Sequence, residues 1–169
     1  MRCKAALAAV FACAMLAPLP GAAQAVKEPS AVQWRLEVVR DGTTIDTFEG
    51  TTAIGQAVTA THHHETVHAV GCKERPDARI DLARTLTISP IAEEPGGIAF
   101  AIDAQEMLED DTPQQTRDGC TLPPQPRRVN ANHPGLLVPA GQWASWTIVD
   151  SRPTLVYRVR ASVAARTGN

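Results

Sequence analysis

The chain has 169 residues, 16 Lys and Arg against 18 Asp and Glu for a formal charge of −2, and only 4% aromatic residues. This length holds about one domain. The mildly acidic balance excludes the electrostatic footprint of a nucleic-acid binder and leaves no basic stripe for an anionic membrane.

Taken in chain order, residues 1–25 read as a secretory signal peptide. Arg2 and Lys4 form the positive start, AALAAVFACAMLAPL the apolar run, and Ala23-Gln24-Ala25 a small-x-small cleavage site. The run is shorter than the roughly 20 residues a membrane span needs. Acylation at Cys13 is disfavoured by bulky Phe11 before it. Removing 25 residues leaves 144, with 14 basic residues against 18 acidic, a balance of −4. Two cysteines remain, Cys72 and Cys120, and in an oxidising compartment they are expected to form one disulfide. The expected locale is periplasmic or secreted.

Residues 26–169 read as a single β-rich domain. Val32, Trp34, Leu36 and Val38 alternate with polar residues as a half-buried strand. Asp41-Gly42 is a two-residue hairpin turn, and the chain returns over Thr43 to Glu49. Gly50 and Gly55 punctuate a Thr-rich approach to the histidines. Leu82, Leu86 and Ile88 share a face. Pro95-Gly96-Gly97 reverses the chain into Ile98, Phe100 and Ile102. Residues 105–118 are acidic and polar, which predicts a long surface loop, with Met107 and Leu108 marking a helical turn. Pro123-Pro124-Gln125-Pro126 suits an edge. Gln142 to Val149 and Thr154 to Val163 are the last strands, joined by Asp150 to Pro153. The pattern predicts an all-β fold: an antiparallel sandwich or partly open barrel of seven to eight strands with one disulfide.

One stretch carries chemistry. THHHETVHAVGCKE, residues 61–74, contains His64-Glu65-Thr66-Val67-His68. This H-E-x-x-H resembles the zinc-peptidase signature, and Gly71 extends the likeness to the metzincin pattern over 11 residues. The resemblance implies His64 and His68 as zinc ligands one helical turn apart, Glu65 as general base, and Glu74 in place of the usual third ligand. The segment itself reads as a strand, because Thr59, Thr61, Thr66, Val67 and Val70 are β-branched. Period two then puts His62, His64, Thr66, His68 and Cys72 on one face and His63, Glu65 and Val67 on the other. On that face, His62, His64 and His68 become candidate ligands for a divalent metal, or a solvent-facing polar strip.

The acids Glu106, Glu109, Asp110 and Asp111 lack calcium-loop spacing and read as a solvated loop. There is no nucleophile elbow around any serine. Leu136, Leu137 and Val138 sit between proline turns, ahead of Trp143 and Trp146. On a strand those two indoles face opposite ways, so an exposed Trp143 beside the apolar loop would make a partner-binding surface; otherwise both indoles are core. The expectation is a non-catalytic binding or assembly module of the cell envelope, such as a surface, secretion or pilus accessory or an inhibitor, with a protein partner and no cofactor. The alternatives are a zinc metallopeptidase using HETVH and a periplasmic metal-binding protein.

Overall fold

The computed structural model describes residues 30–72, 77–109 and 115–164. The expected signal peptide, Glu74, Asp110 and Asp111 lie outside them. Among the described residues there are eight strands and no helix: β1 Ala31–Arg40, β2 Thr43–Ala53, β3 Val58–Ala69, β4 Asp77–Glu94, β5 Gly97–Leu108, β6 Arg127–Val138, β7 Trp143–Val149 and β8 Leu155–Val163. They form two antiparallel sheets, β2-β1-β8-β7 and β3-β4-β5-β6. The sandwich predicted from alternation is therefore the fold.

Within each sheet consecutive strands pair with one another, and β1 pairs with β8. The chain thus runs once around the sandwich. The ladder is interrupted at two seams, between β2 and β3 and between β6 and β7. Each seam is bridged by a histidine from one sheet and an aromatic from the other. His62 stacks on Phe48 with ring centroids 4.0 Å apart. His133 meets Trp146 edge-on at 5.4 Å.

Local chemistry sets the turns. Asp41 and Gly42 have φ of 48° and 83°, the doubly positive pair that a tight hairpin needs. The Asp41 carboxylate also accepts from the Thr154 N–H at 2.9 Å, tying the hairpin to the start of β8. Gly97 has φ of 150°, and a Cβ there would collide with the Val138 carbonyl. Between the sheets lie Leu36, Val38, Phe48, Leu86, Ile88, Phe100, Ile102, Tyr157 and Val159, all buried.

Two expectations are corrected. Residues 105–108 are not loop or helical turn; they continue β5, and Glu106 follows Ile98, Phe100, Ile102 and Ala104 on its inward face. The Leu136 to Val138 segment is not a loop but the end of β6. Leu136 and Val138 are buried, and only Leu137 is exposed. Pro134 is accommodated because β6 is an edge strand, with a register shift at that point of the β5–β6 ladder.

The β3–β4 hairpin runs past the rest of its sheet: Asp77 to Ala83 pair with β3, whereas the β4–β5 ladder begins at Arg84. Past its last pair, Ala69 with Asp77, Gly71 and Thr121 exchange backbone hydrogen bonds of 2.8 and 3.0 Å. Next to them Cys72 and Cys120 form the expected disulfide, 48 residues apart in sequence. No helix among the described residues is long and apolar enough to cross a membrane.

Candidate functional site: the open seam between β2 and β3

The seam between β2 and β3 widens into a cleft of about 600 Å³ toward the disulfide end, lined in part by Arg40, Asp46, His62, His64, Arg84 and Glu109. Its floor follows from register. Across one sheet His62 is level with Arg84 and Arg84 with Glu106. Across the other, Asp46 is level with Val38 and Val38 with Tyr157. These two inward rows face each other, and their polar members join.

Arg84 Nε donates to both oxygens of Glu106, at 2.7 and 2.9 Å. Its Nη1 reaches Asp46 Oδ2 at 2.7 Å. The Tyr157 hydroxyl donates to Glu106 Oε1. Asp46 Oδ1 accepts from His62 Nδ1 at 2.9 Å and from the Thr47 N–H at 2.7 Å. A chain of five polar side chains therefore runs from the core to the seam's mouth.

Burial dominates the electrostatics and is then answered by partners. It would raise the Asp46 carboxyl, but hydrogen bonds from His62, Arg84 and Thr47 hold it below the usual carboxylate range. Burial would likewise lower the Arg84 guanidinium, yet Glu106 and then Asp46 push it above its ordinary value. Burial, with the Glu106 carboxylate alongside, pushes the Tyr157 phenol far up. Asp46 and Arg84 thus stay charged, and Tyr157 neutral, through neutral pH. A fully buried charge is tolerated only when paired and hydrogen-bonded, and no buried polar side-chain atom among the described residues lacks a partner.

The histidine run is strand β3. His64 and His68 lie four residues apart on an extended backbone, so their Cα atoms are roughly 13 Å apart, too far to share one zinc. Glu65 faces away and accepts from Arg79 at 2.8 Å. The one-turn geometry that the peptidase motif requires is therefore absent. The physical reason is the ladder with β4, which holds Val58 to Ala69 in one register.

The expected face does form. His62, His64, Thr66 and His68 share the inward side of β3, but the imidazoles have separate surroundings. His62 joins Asp46 and Phe48. His68 Nε2 pairs with Glu109 Oε1 at 2.8 Å, where the Thr66 hydroxyl also donates at 2.5 Å. His64 lines the cleft and has no hydrogen-bond partner among the described residues. On the outer side, His63 Nδ1 pairs with Asp81 at 2.7 Å. No three His, Cys, Asp or Glu side chains converge on one point among the described residues.

The apolar surface expected near Trp143 is not brought together. Trp146 packs inward against Tyr157, while Trp143 lies outward under Arg158, whose guanidinium carbon is 4.9 Å from the ring centroid. Leu137 is exposed on the outer face of the other sheet, so it and Trp143 look in opposite directions. Sequence reasoning missed Asp46, Arg84, Glu106 and Tyr157. The one local signal was the alternation of β5, which already placed Glu106 in phase with Phe100 and Ile102.

No protein-family model, no curated protein and no solved structure matches this chain.

Proposed function

We propose that this chain is an exported, non-catalytic binding or assembly module of the cell envelope that holds an extended segment of a partner protein along β3. The observation that carries this reading is the state of that edge. β3 keeps one unbroken register with β4 over its 12 residues, contains neither Pro nor Lys, and among the described residues has no strand on its other side.

Proteins usually blunt such edges with proline, lysine, bulges or short strands. The other three edges here show such features. β6 carries Pro134 and a register shift. β7 has seven residues and a shift at Thr147/Val149. The β1–β2 ladder shifts at Val38/Val39. An added strand would take its main-chain hydrogen bonds from β3 and lay alternate side chains over the seam, where Ile45 and Val58 are exposed. The all-β fold and its disulfide are compatible with an extracellular setting.

The test is capture of partners from envelope extracts by the wild-type chain and by a proline scan through residues 59–67. A proline whose lost N–H faced away from β4 leaves the fold intact and is expected to abolish capture. If every folded proline variant retains the same specific partner, the edge is not the binding surface. Trp143→Ala is expected to leave capture unchanged; loss of the partner in that variant would move the interface to the opposite sheet.

A further inference from the structure

The same seam holds a feature that does not depend on strand addition: an imidazole whose free lone pair has a fixed position. An ionised carboxylate only accepts hydrogen bonds. His62 Nδ1, 2.9 Å from Asp46 Oδ1, therefore carries a proton, and in the neutral ring the lone pair is on Nε2. Stacking on Phe48 fixes the ring plane. This carboxylate–imidazole arrangement is what orients metal-binding histidines and raises their basicity.

His64 stands two residues along on the same face, about 6.6 Å away by strand rise, within reach of an ion shared between two imidazoles. It lines the cleft without a hydrogen-bond partner among the described residues. Charge does not oppose a cation there: the lining carries Asp46 and Glu109 against Arg40 and Arg84, and Arg84 is engaged by Asp46 and by the buried Glu106 behind it.

We propose that His62 Nε2 and His64 chelate a divalent transition-metal ion at the mouth of the seam, with Asp46 as the positioning residue for the His62 ring. Two neutral imidazoles select the zinc, copper and nickel class over magnesium or calcium. The remaining coordination positions face the cleft and its water. The ion is thus held by two nitrogens and is open to a further donor.

The experiment uses the untagged protein, without a polyhistidine sequence, titrated with Zn(II), Ni(II) and Cu(II) by calorimetry, with nitrogen couplings of the copper form read by electron paramagnetic resonance. One ion per chain and two coordinated imidazole nitrogens are expected. His64→Ala should weaken binding at least tenfold, on the order of losing one ligand, and remove one nitrogen coupling. Asp46→Asn should weaken it about 10- to 100-fold while both couplings remain. His63→Ala, on the outer face, and His68→Ala, at Glu109, should change affinity less than about twofold.

The site is refuted if His64→Ala binds as the wild type does, or if His63→Ala costs as much as His64→Ala, which would mark unspecific loading of a histidine-rich strand. Circular dichroism and thermal unfolding of each variant, with His64→Gln as a second side-chain replacement, separate lost ligation from lost fold. The chain is titrated alone, so failure of the metal site and failure of strand addition remain distinguishable.

Discussion

The imidazole of His62 lies flat on the ring of Phe48, interplanar angle 15°, so one contact joins the edge strands of two sheets that share no ladder. The two partners are unequal. Phe48 is 3% exposed and belongs to the core, whereas the His62 side chain is 46% exposed. Phe48→Ala should therefore cost about 3–5 kcal/mol, as large-to-small core changes do. His62→Ala should cost no more than about 1.5 kcal/mol, the stacking contribution with little burial behind it. Urea unfolding of both variants measures the difference.

The pair Arg84–Glu106 is expected to be strongly asymmetric toward single and double replacement. Glu106 is 1% exposed and Arg84 13%. Glu106→Ala leaves the guanidinium without its main partner and strands the Tyr157 hydroxyl, for a loss of about 3–5 kcal/mol. Replacing both together, Arg84→Met with Glu106→Leu, should cost less than the sum of the two single losses, the remaining cost coming from the Tyr157 hydroxyl and the Asp46 carboxylate, which each lose a partner. A double-mutant cycle by denaturant titration checks this, and additive losses would contradict the buried pairing.

Acid stability follows from Asp46. Its carboxyl titrates below the ordinary aspartate range in the folded chain. The unfolded chain then binds the extra proton first, so the stabilisation is complete above about pH 4 and is lost as pH falls through the folded value. Asp46→Asn should flatten the stability profile below about pH 4 relative to wild type. Thermal midpoints recorded from pH 2 to 6 show this directly, and a parallel acid limb in the variant would place the effect elsewhere.

The disulfide closes a 48-residue separation around β4 and β5. Loop-closure entropy for that length is worth roughly 4 kcal/mol. Paired Cys72→Ser and Cys120→Ser replacement should lower the unfolding free energy by about that amount, and reduction of the wild-type protein should reproduce the shift. The β3–β4 ribbon beyond Arg84 should show the largest gain in amide exchange, because less of the sheet flanks it.

Alternation was enough to place most strands. Val32 to Val38, the Asp41-Gly42 reversal and Leu155 to Val163 each carry a period-two pattern ended by a turn residue, and each forms where expected. β6 was illegible because it is an edge strand with little to bury along much of its length: Arg127, Arg128, Asn130 and Asn132 mask the inward Val129 and Ala131, and Pro134 breaks the pattern. The acidic run after Gln105 hid Glu106 for a different reason. Its partner Arg84 is 22 residues away, and only cross-strand register brings them level. The inward histidine face of β3 was legible from parity alone. The cleft it borders was not, because it depends on β2 crossing above from the other sheet.

Adjacency of β1 and β8 has a geometric corollary. Ala31 and Val163 leave the fold side by side, joined by the Ala164 N–H to Ala31 carbonyl bond of 2.8 Å. That pole is opposite the one where Cys72, Cys120 and Glu109 lie. A ligand entering the cleft between β2 and β3 from that opposite pole would therefore meet neither the start of β1 nor the end of β8.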